Sequence, residues 1–496
     1  MKLTKRLISL LLLVSMLASM AACGGDTPAD PQTPADAPVS EETAEETAEE
    51  TMDSLEARSL VEDGLPDKDY EGRTFRILTY DMTANDFRAE EMTGALVNDA
   101  TYDRNTKVME RFNIALDING DSASGDTTTT IRNSIAAGDD EFDLVSHHMI
   151  ETAKLAMSHL YQDFNTIPTV DPAKPWWNAS SSKDLSIAGQ SFLLAGSISP
   201  YFLGSYYCVY MNKRLGQDYG IPAETIYKDV LDGKFTIDYY YSKIENTWND
   251  LNGDGVQDEN DFYGLAAQIT SYATPFIYSF GEVTVKADET GLPKLSINEE
   301  KFASMVEKVY RLFYESNGTI TTNGWSLHSD TFMAGRALFM DGVFLHSYQH
   351  FNDMEDDYAI LPYPKWDETQ TDYYTMSDGS SPLISIPVTV TDTEFAGIIT
   401  EALCAEAWKT ITPAVYDMAL KSRGARDETS VQIIDMIERG AIIDFGFVFG
   451  DYNMMGFTMS VMMNAKDSNF ASYYAKNQKA WSKKLDKLVN DFMKED

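Results

Sequence analysis

Apolar residues recur along this 496-residue chain in two alternating rhythms. Residues 74–80 are β-branched and aromatic and meet a polar stop at Asp81, which is the pattern of a strand. Leu96, Val97, Ala100, Val108, Met109 and Phe112 then fall at roughly helical spacing in a charged segment, predicting an amphipathic helix. A strand over 114–118, a helix over 127–137 and a short buried strand over 142–146 follow, the last running into His147 and His148. Strands alternating with helices predict a parallel sheet with ligand chemistry at the carboxyl ends of its strands. The scheme returns later, with strands over 209–213, 358–362 and 383–387 and helices over 301–316, 394–410 and 477–493. Trp481, Leu485, Leu488 and Phe492 mark the apolar face of the final helix.

The N-terminus departs from this rhythm. Lys2, Lys5 and Arg6 precede a short apolar run over 7–20, built like a secretory signal rather than a membrane span. It ends in Met20-Ala21-Ala22-Cys23-Gly24, which resembles a bacterial lipobox with Met in place of the usual Leu. Residues 1–22 are therefore read as a lipoprotein signal peptide and Cys23 as the lipidated new N-terminus. The acyl anchor would hold the protein on the extracellular face of the cytoplasmic membrane. Residues 23–69 carry five prolines and 15 acidic residues against Arg58 and Lys68, and read as an acidic disordered tether.

Composition narrows the function. A formal charge of −39 excludes the cationic footprint that nucleic acid or an anionic lipid surface requires. With 43% hydrophobic residues the remainder is an ordinary globular chain, long enough for more than one lobe. Only Cys208 and Cys404 remain beyond the anchor, as two buried thiols or one bridge.

Several segments together resemble the extracellular solute-binding lipoproteins that feed carbohydrate ABC importers, the family 1 solute-binding proteins. Asn98-Asp99-Ala100 through Arg104-Asn105 to Phe112-Asn113 looks like that family's first helix. Tyr210 to Leu215 followed by Gly220-Ile221-Pro222 is similar to its crossing segment, and Phe332 to Met340 to its F-x-x-G-x-x-A-x-M stretch. The usual Trp before Thr is replaced by Phe235 before Thr236. The resemblance implies an α/β, two-lobed periplasmic-binding-protein-like fold of type II with hinge strands. Lobe 1 is expected over 70–200 plus 358–412, and lobe 2 over 201–357 plus 413–496. It also implies a monomeric, non-enzymatic receptor that takes a sugar or oligosaccharide and delivers it to ABC permease subunits.

Candidate ligand contacts come from two sources. Tyr80, Asp81, His147 and His148 lie at predicted strand ends, with Glu151 one turn onward; capping of a helix by the histidines is the alternative. Trp177, beside Trp176 in a proline-flanked stretch, is a cleft candidate with core packing as its alternative. Of Tyr201, Tyr206 and Tyr207, near the crossing between lobes, one is expected in the cleft, and Tyr206 is taken as that one. Asp378 precedes a strand returning through the hinge and is placed to reach a hydroxyl. Tyr272, Phe344 and Phe457 are candidates implied by the family resemblance alone. Flat aromatic faces stack on the apolar face of a pyranose while polar groups hold its hydroxyls.

One local motif points to a metal. Residues 250–261 place oxygen donors at Asp250, Asn252, Asp254, Asp258 and Asp261, Gly255 at the tight turn, and the Val256 carbonyl at position 7. This is the EF-hand-type pattern for a structural Ca²⁺, with Asp instead of Glu at position 12. His346 and His350, four apart, read as a polar helix face rather than a zinc pair. No nucleophile elbow, zincin helix, P-loop or dinucleotide fingerprint is present. Two other readings stand beside the receptor: a surface glycan-binding lipoprotein without a transporter, and a secreted glycoside hydrolase or lyase whose carboxylates no local motif reveals.

Overall fold

The computed structural model describes residues 55–351, 354–419, 428–450 and 455–493. The signal segment, Cys23 and the tether up to residue 54 lie outside the described residues. In chain order the strands are β1 (Arg73–Leu78), β2 (Ile114–Asn119), β3 (Leu144–His148), β4 (Tyr207–Asn212), β5 (Tyr263–Gln268), β6 (Val285–Ala287), β7 (Pro293–Leu295), β8 (Thr319–Thr322), β9 (Ala337–Val343), β10 (Tyr358–Leu361), β11 (Thr375–Met376), β12 (Pro382–Ser385) and β13 (Ala441–Ile442). They build a four-stranded sheet in the order β12-β3-β1-β2 and a five-stranded sheet in the order β10-β4-β9-β5-β8, with β11–β13 and β6–β7 as small pairs.

In the first sheet β1 lies parallel to both β2 and β3, and β12 runs antiparallel to β3 with Pro382 opposite His148. The helix Leu96–Phe112 buries Thr101, Arg104, Asn105, Val108 and Phe112, a three- and four-residue spacing that makes one face. It ends where Asn113 enters the left-handed region and its N–H returns to the Met109 carbonyl. That helix packs against Thr393–Ala419. Phe75, Ile77, Leu144, Trp176, Ile384 and Phe395 fill the core beneath them.

Arg104 ties this lobe to the crossing segment. Its fully buried guanidinium donates to the carbonyls of Ile198 at 2.9 Å and Asp86 at 2.8 Å, and to Asn105 Oδ1. Asn105 in turn donates to the Phe87 carbonyl at 2.7 Å. The Asp86 carboxylate accepts from the Tyr201 amide at 3.2 Å and from the Ser199 hydroxyl. Burial moves both ionisable groups: Asp86 is pushed up to about 7 and Arg104 down to about 10.

In the second sheet β5 is parallel to β8 and β9, whereas β4 is antiparallel to β9 and to β10. All six residues of β4 are buried, as expected of a strand flanked on both sides. Cys208 lies in this strand and Cys404 in the helix of the other lobe, and both are buried free thiols.

Two expected boundaries are corrected. Residues 358–361 do not belong to lobe 1: β10 is the edge strand of the second sheet, with Tyr358 opposite Asn212 and Leu361 opposite Val209. An apolar strand looks the same whichever sheet it joins. Its position is set by Asp356, which accepts from Asn212 at 2.8 Å and from Arg214 at 2.7 Å. The chain rejoins the first sheet only at Pro382. Nor does the tether run to residue 69. The Arg58 guanidinium lies 5.0 Å from the Trp408 ring centroid, Asp63 pairs with Arg111, and Val61 and Leu65 pack on the first-lobe core. A few apolar side chains and two paired charges are enough to hold this segment against the lobe, and acidic composition concealed them.

The helices also extend further than expected, over Thr393–Ala419 with Pro413 inside and over Phe470–Phe492, where the Asn469 side chain accepts from the Ser472 amide.

Candidate functional site

A cavity of about 960 Å³ opens between the two sheets. The first lobe contributes Met82 after β1, His148 at the end of β3, and Ile150 on the following helix. The crossing segment contributes Tyr201, Ser205 and Tyr207, and the turn before β12 contributes Asp378, Gly379 and Ser380. From the second lobe come residues following β5 (Thr270, Ser271, Tyr272, Thr274), the loop residue Trp325, and residues at and after the end of β9 (Val343, Leu345, His346, Gln349, His350). Phe447, Phe457, Ser460 and Asn464 complete that wall.

The Asp378–Ser380 turn is its most heavily pinned polar feature. Tyr207 donates its hydroxyl to Asp378 Oδ2, while Oδ1 accepts from the Ser380 amide at 2.9 Å and from the Ser380 hydroxyl. Tyr80 donates to the Ser380 carbonyl, and the Tyr201 and Ser380 hydroxyls are 3.1 Å apart. Three tyrosines, from a first-lobe strand end, the crossing helix and β4, thus hold one turn. Gly379 is constrained as well, because a Cβ there would lie 3.1 Å from Phe447 and 3.2 Å from Ile150. Phe447 stacks on Phe457 with centroids 4.6 Å apart.

Opposite this turn, imidazoles gather around Tyr272. The Tyr272 hydroxyl lies 3.3 Å from His346 Nε2, and His346 Nδ1 accepts from the Val343 amide at 3.4 Å. The His346 ring is 5.8 Å from His328 and 5.2 Å from His350 between centroids. Gly342 permits this packing, since a Cβ there would stand 2.7 Å from His346 Nδ1. Burial lowers His328 to about 4 and His346 well below its ordinary value, so both are neutral at pH 7. Burial lowers His148 too, with Asp378 acting in the opposite direction.

Of the residues singled out in the sequence, His148, Tyr272, Asp378 and Phe457 line the cavity. The others do not. Tyr80 is buried beneath the turn and supports it. Asp81 is exposed and accepts from the Met82 amide at 2.8 Å. His147 points into the first lobe, with Nε2 2.8 Å from the Thr128 hydroxyl, and burial drives it down to about 3. Glu151 pairs with Lys154 at 2.9 Å. Trp177 is buried in the first-lobe core. Tyr206 and Phe344 pack edge-on against each other, so the crossing tyrosines in the wall are Tyr201 and Tyr207 instead. Consecutive residues on a strand face opposite ways, and the choice between Tyr206 and Tyr207 turned on that parity. His346 is not on a polar helix face but buried among aromatic rings.

Trp325 is a further lining residue with a signal in the sequence: a large aromatic between Gly324 and Ser326, in a loop, remains 71% exposed beside the cavity. Ile150, Thr270, Ser271, Phe447, Ser460 and Asn464 had no distinguishing local pattern.

In the loop 250–261 the side chains turn to the loop's own amides. Asp250 accepts from Gly253 and Gly255, Asn252 from Asp254, Asp254 from Val256, and Asp258 from Asn260. Asp261 is buried and accepts from the Trp248 indole at 2.9 Å. Among the described residues, no group of three or more His, Cys, Asp or Glu side chains is arranged to hold a metal ion.

No family model matches the chain. No curated protein matches it in sequence. Its fold does match solved structures. A cyclo/maltodextrin-binding protein complexed with maltotetraose superposes with a TM-score of 0.52 at 14% identity, covering 85% of this chain and 96% of that one. A solute-binding protein of an ABC transporter from Thermotoga lettingae, bound with α-D-tagatose, gives 0.52 at 12% identity, covering 84% and 100%. An ABC substrate-binding protein from Listeria monocytogenes in complex with cycloalternan gives 0.50 at 12% identity, covering 85% and 98%. The chain therefore has the two-lobed, periplasmic-binding-protein-like fold of these solute-binding proteins. Among the described residues, no helix is long and apolar enough to cross a membrane.

Proposed function

We propose that this protein is an extracellular receptor, anchored through lipid on Cys23, that captures a sugar or oligosaccharide and presents it to the permease subunits of an ABC importer. The observation that carries this reading is the cavity between the sheets. Tyr201, Tyr207, Tyr272, Trp325, Phe447 and Phe457 furnish aromatic surface, and Asp378, Ser380 and the imidazoles furnish a few polar groups. That combination suits a polyhydroxylated ring with one apolar face. The solved structures with the same fold hold maltotetraose, tagatose and cycloalternan.

Function follows from closure. A ligand touched by both lobes favours the closed arrangement, and the permease recognises that arrangement without covalent chemistry. Asp378 is the one carboxylate among the described residues that line the cavity, whereas hydrolysis of a glycoside ordinarily uses two. This supports a binding protein rather than an enzyme. A thermal-shift screen of the purified protein against mono- and oligosaccharides tests it, with amino acids and peptides as controls. A stabilising shift from one saccharide class supports the reading; a shift from peptides alone overturns the carbohydrate assignment.

A structural Ca²⁺ in the loop 250–261 is part of the same proposal, held by Asp250, Asn252, Asp254, Asp258, Asp261 and the Val256 carbonyl. The oxygen donors and their spacing support it. Millimolar Ca²⁺ should raise the melting temperature, and Asp254→Ala should remove that effect. Identical melts with Ca²⁺ and with chelator would end the calcium proposal.

A further inference from the structure

The charge on the cavity wall is unusually one-sided. Among the described residues that line it there is no Lys or Arg, and Asp378 is its one formally charged side chain. Every hydrogen bond Asp378 receives comes from a neutral donor, the Tyr207 hydroxyl and the Ser380 amide and hydroxyl. Those bonds use both lone pairs of Oδ1 and leave one on Oδ2 of a half-buried carboxylate that lines the cavity. Two of the three lining imidazoles add little positive charge, because burial lowers His148 and His346 below the ordinary histidine value. Lys154, the cation that acts on His148, is held by Glu151 at 2.9 Å. The whole chain adds a field of the same sign, with a formal charge of −39.

We infer that Asp378 is a charge filter within the sugar site: the receptor takes neutral saccharides and rejects those bearing carboxylate or phosphate. The inference rests on the sugar-receptor reading and narrows it. The carboxylate accepts hydrogen bonds from ligand hydroxyls, as a charge-assisted acceptor does. An acidic ligand would bring a second anion near Asp378 in a partly desolvated space, with no Lys or Arg among the described lining residues to receive it. A field of fixed sign in a cleft works on every charged visitor, so discrimination should extend to any uronide irrespective of its linkage.

The test measures binding of matched trisaccharides by calorimetry: galactotriose with trigalacturonate, mannotriose with trimannuronate, and maltotriose with its phosphorylated form. For whichever neutral member binds, its acidic counterpart is expected to bind at least tenfold more weakly. Asp378→Asn should shrink that ratio, and raising the salt concentration should shrink it in the wild type. Because Asp378 also receives Tyr207, a second variant guards against a folding defect. Asn464→Lys adds a cation at the exposed edge of the wall and should strengthen uronide binding without unfolding the protein. If an acidic member binds as well as its neutral partner, the charge filter is wrong and the sugar receptor stands. Binding of peptides or amino acids with no saccharide bound would overturn the receptor reading beneath it, and the filter with it.

Discussion

The indole N–H of Trp177 donates to Oε2 of Glu401 at 2.8 Å. The other carboxylate oxygen accepts from Trp176 at 2.9 Å, so one buried glutamate on the helix Thr393–Ala419 holds both tryptophans. This anchors the irregular stretch after Pro175 to the first-lobe core and takes Trp177 away from the ligand. Replacing Glu401 by Leu leaves two buried donors without acceptors. Each such orphan costs about 1–3 kcal/mol. Urea unfolding of Glu401→Leu should therefore show a loss on the order of 2–4 kcal/mol, while saccharide affinity of the folded fraction is unchanged.

Arg104 holds two segments through the backbone carbonyls of Asp86 and Ile198 and bonds the neighbouring Asn105 side chain, and the Asp86 it accompanies positions Tyr201. Removing one member of a buried charged cluster costs about 3–5 kcal/mol. Arg104→Ala is expected to lose that order of stability by denaturant melt. Arg104→Lys should recover only part of it, because an ammonium cannot reproduce the planar fork.

Histidine burial predicts a signature in acid. His328 has a folded value near 4, below the ordinary 6.5 of the unfolded chain. The unfolded state therefore takes up a proton first as the pH falls. Stability linked to His328 is fully present above about 6.5 and is lost as the pH falls towards 4, at about 1.4 kcal/mol per pH unit. Asp86 and Glu401, both raised to about 7, work in the opposite sense: their contribution is present below the ordinary carboxylate range and lost as the pH rises through 7. The difference between wild type and His328→Phe isolates one group. Between pH 7.5 and 5 the wild type should lose about 2 kcal/mol more than the variant. Parallel pH profiles would contradict this.

The segment from Leu55 to Lys68 belongs to the folded body. Arg58 over Trp408, Asp63 with Arg111, and Lys68 with Glu394 at 2.7 Å fasten it. The exposed pair contributes little, and the cation–π and apolar contacts contribute most. A chain beginning at Tyr70 should be about 1–3 kcal/mol less stable than one beginning at Asp53, measured as a shift in the urea midpoint.

Trp325 is exposed beside the cavity and offers a flat face at little structural cost. Trp325→Ala should weaken saccharide binding about tenfold, equivalent to roughly 1.4 kcal/mol, with no change in melting temperature of the free protein.

What could be read in the sequence divides along physical lines. The helix Leu96–Phe112 and the strands of the first sheet announced themselves because their periodicity is local. The sheet that β10 joins was hidden, because its pairing, Tyr358 with Asn212 and Leu361 with Val209, depends on residues distant in sequence and leaves no local trace. Strand-end logic placed His148 on the cavity but could not separate it from His147, whose ring points the other way to Thr128. Trp177 looked like a ligand platform until Glu401, more than 200 residues on, claimed its N–H. The cavity draws its wall from many separate segments, so most of its members are ordinary residues until the fold assembles them.

The most direct test of the receptor is to incubate the purified protein with a mixture of neutral oligosaccharides, remove the unbound fraction, and identify what remains by mass spectrometry. The account predicts one saccharide class retained intact at a ratio of one per chain, with no new products in the mixture. Retention of none, or the appearance of shortened saccharides, would contradict it.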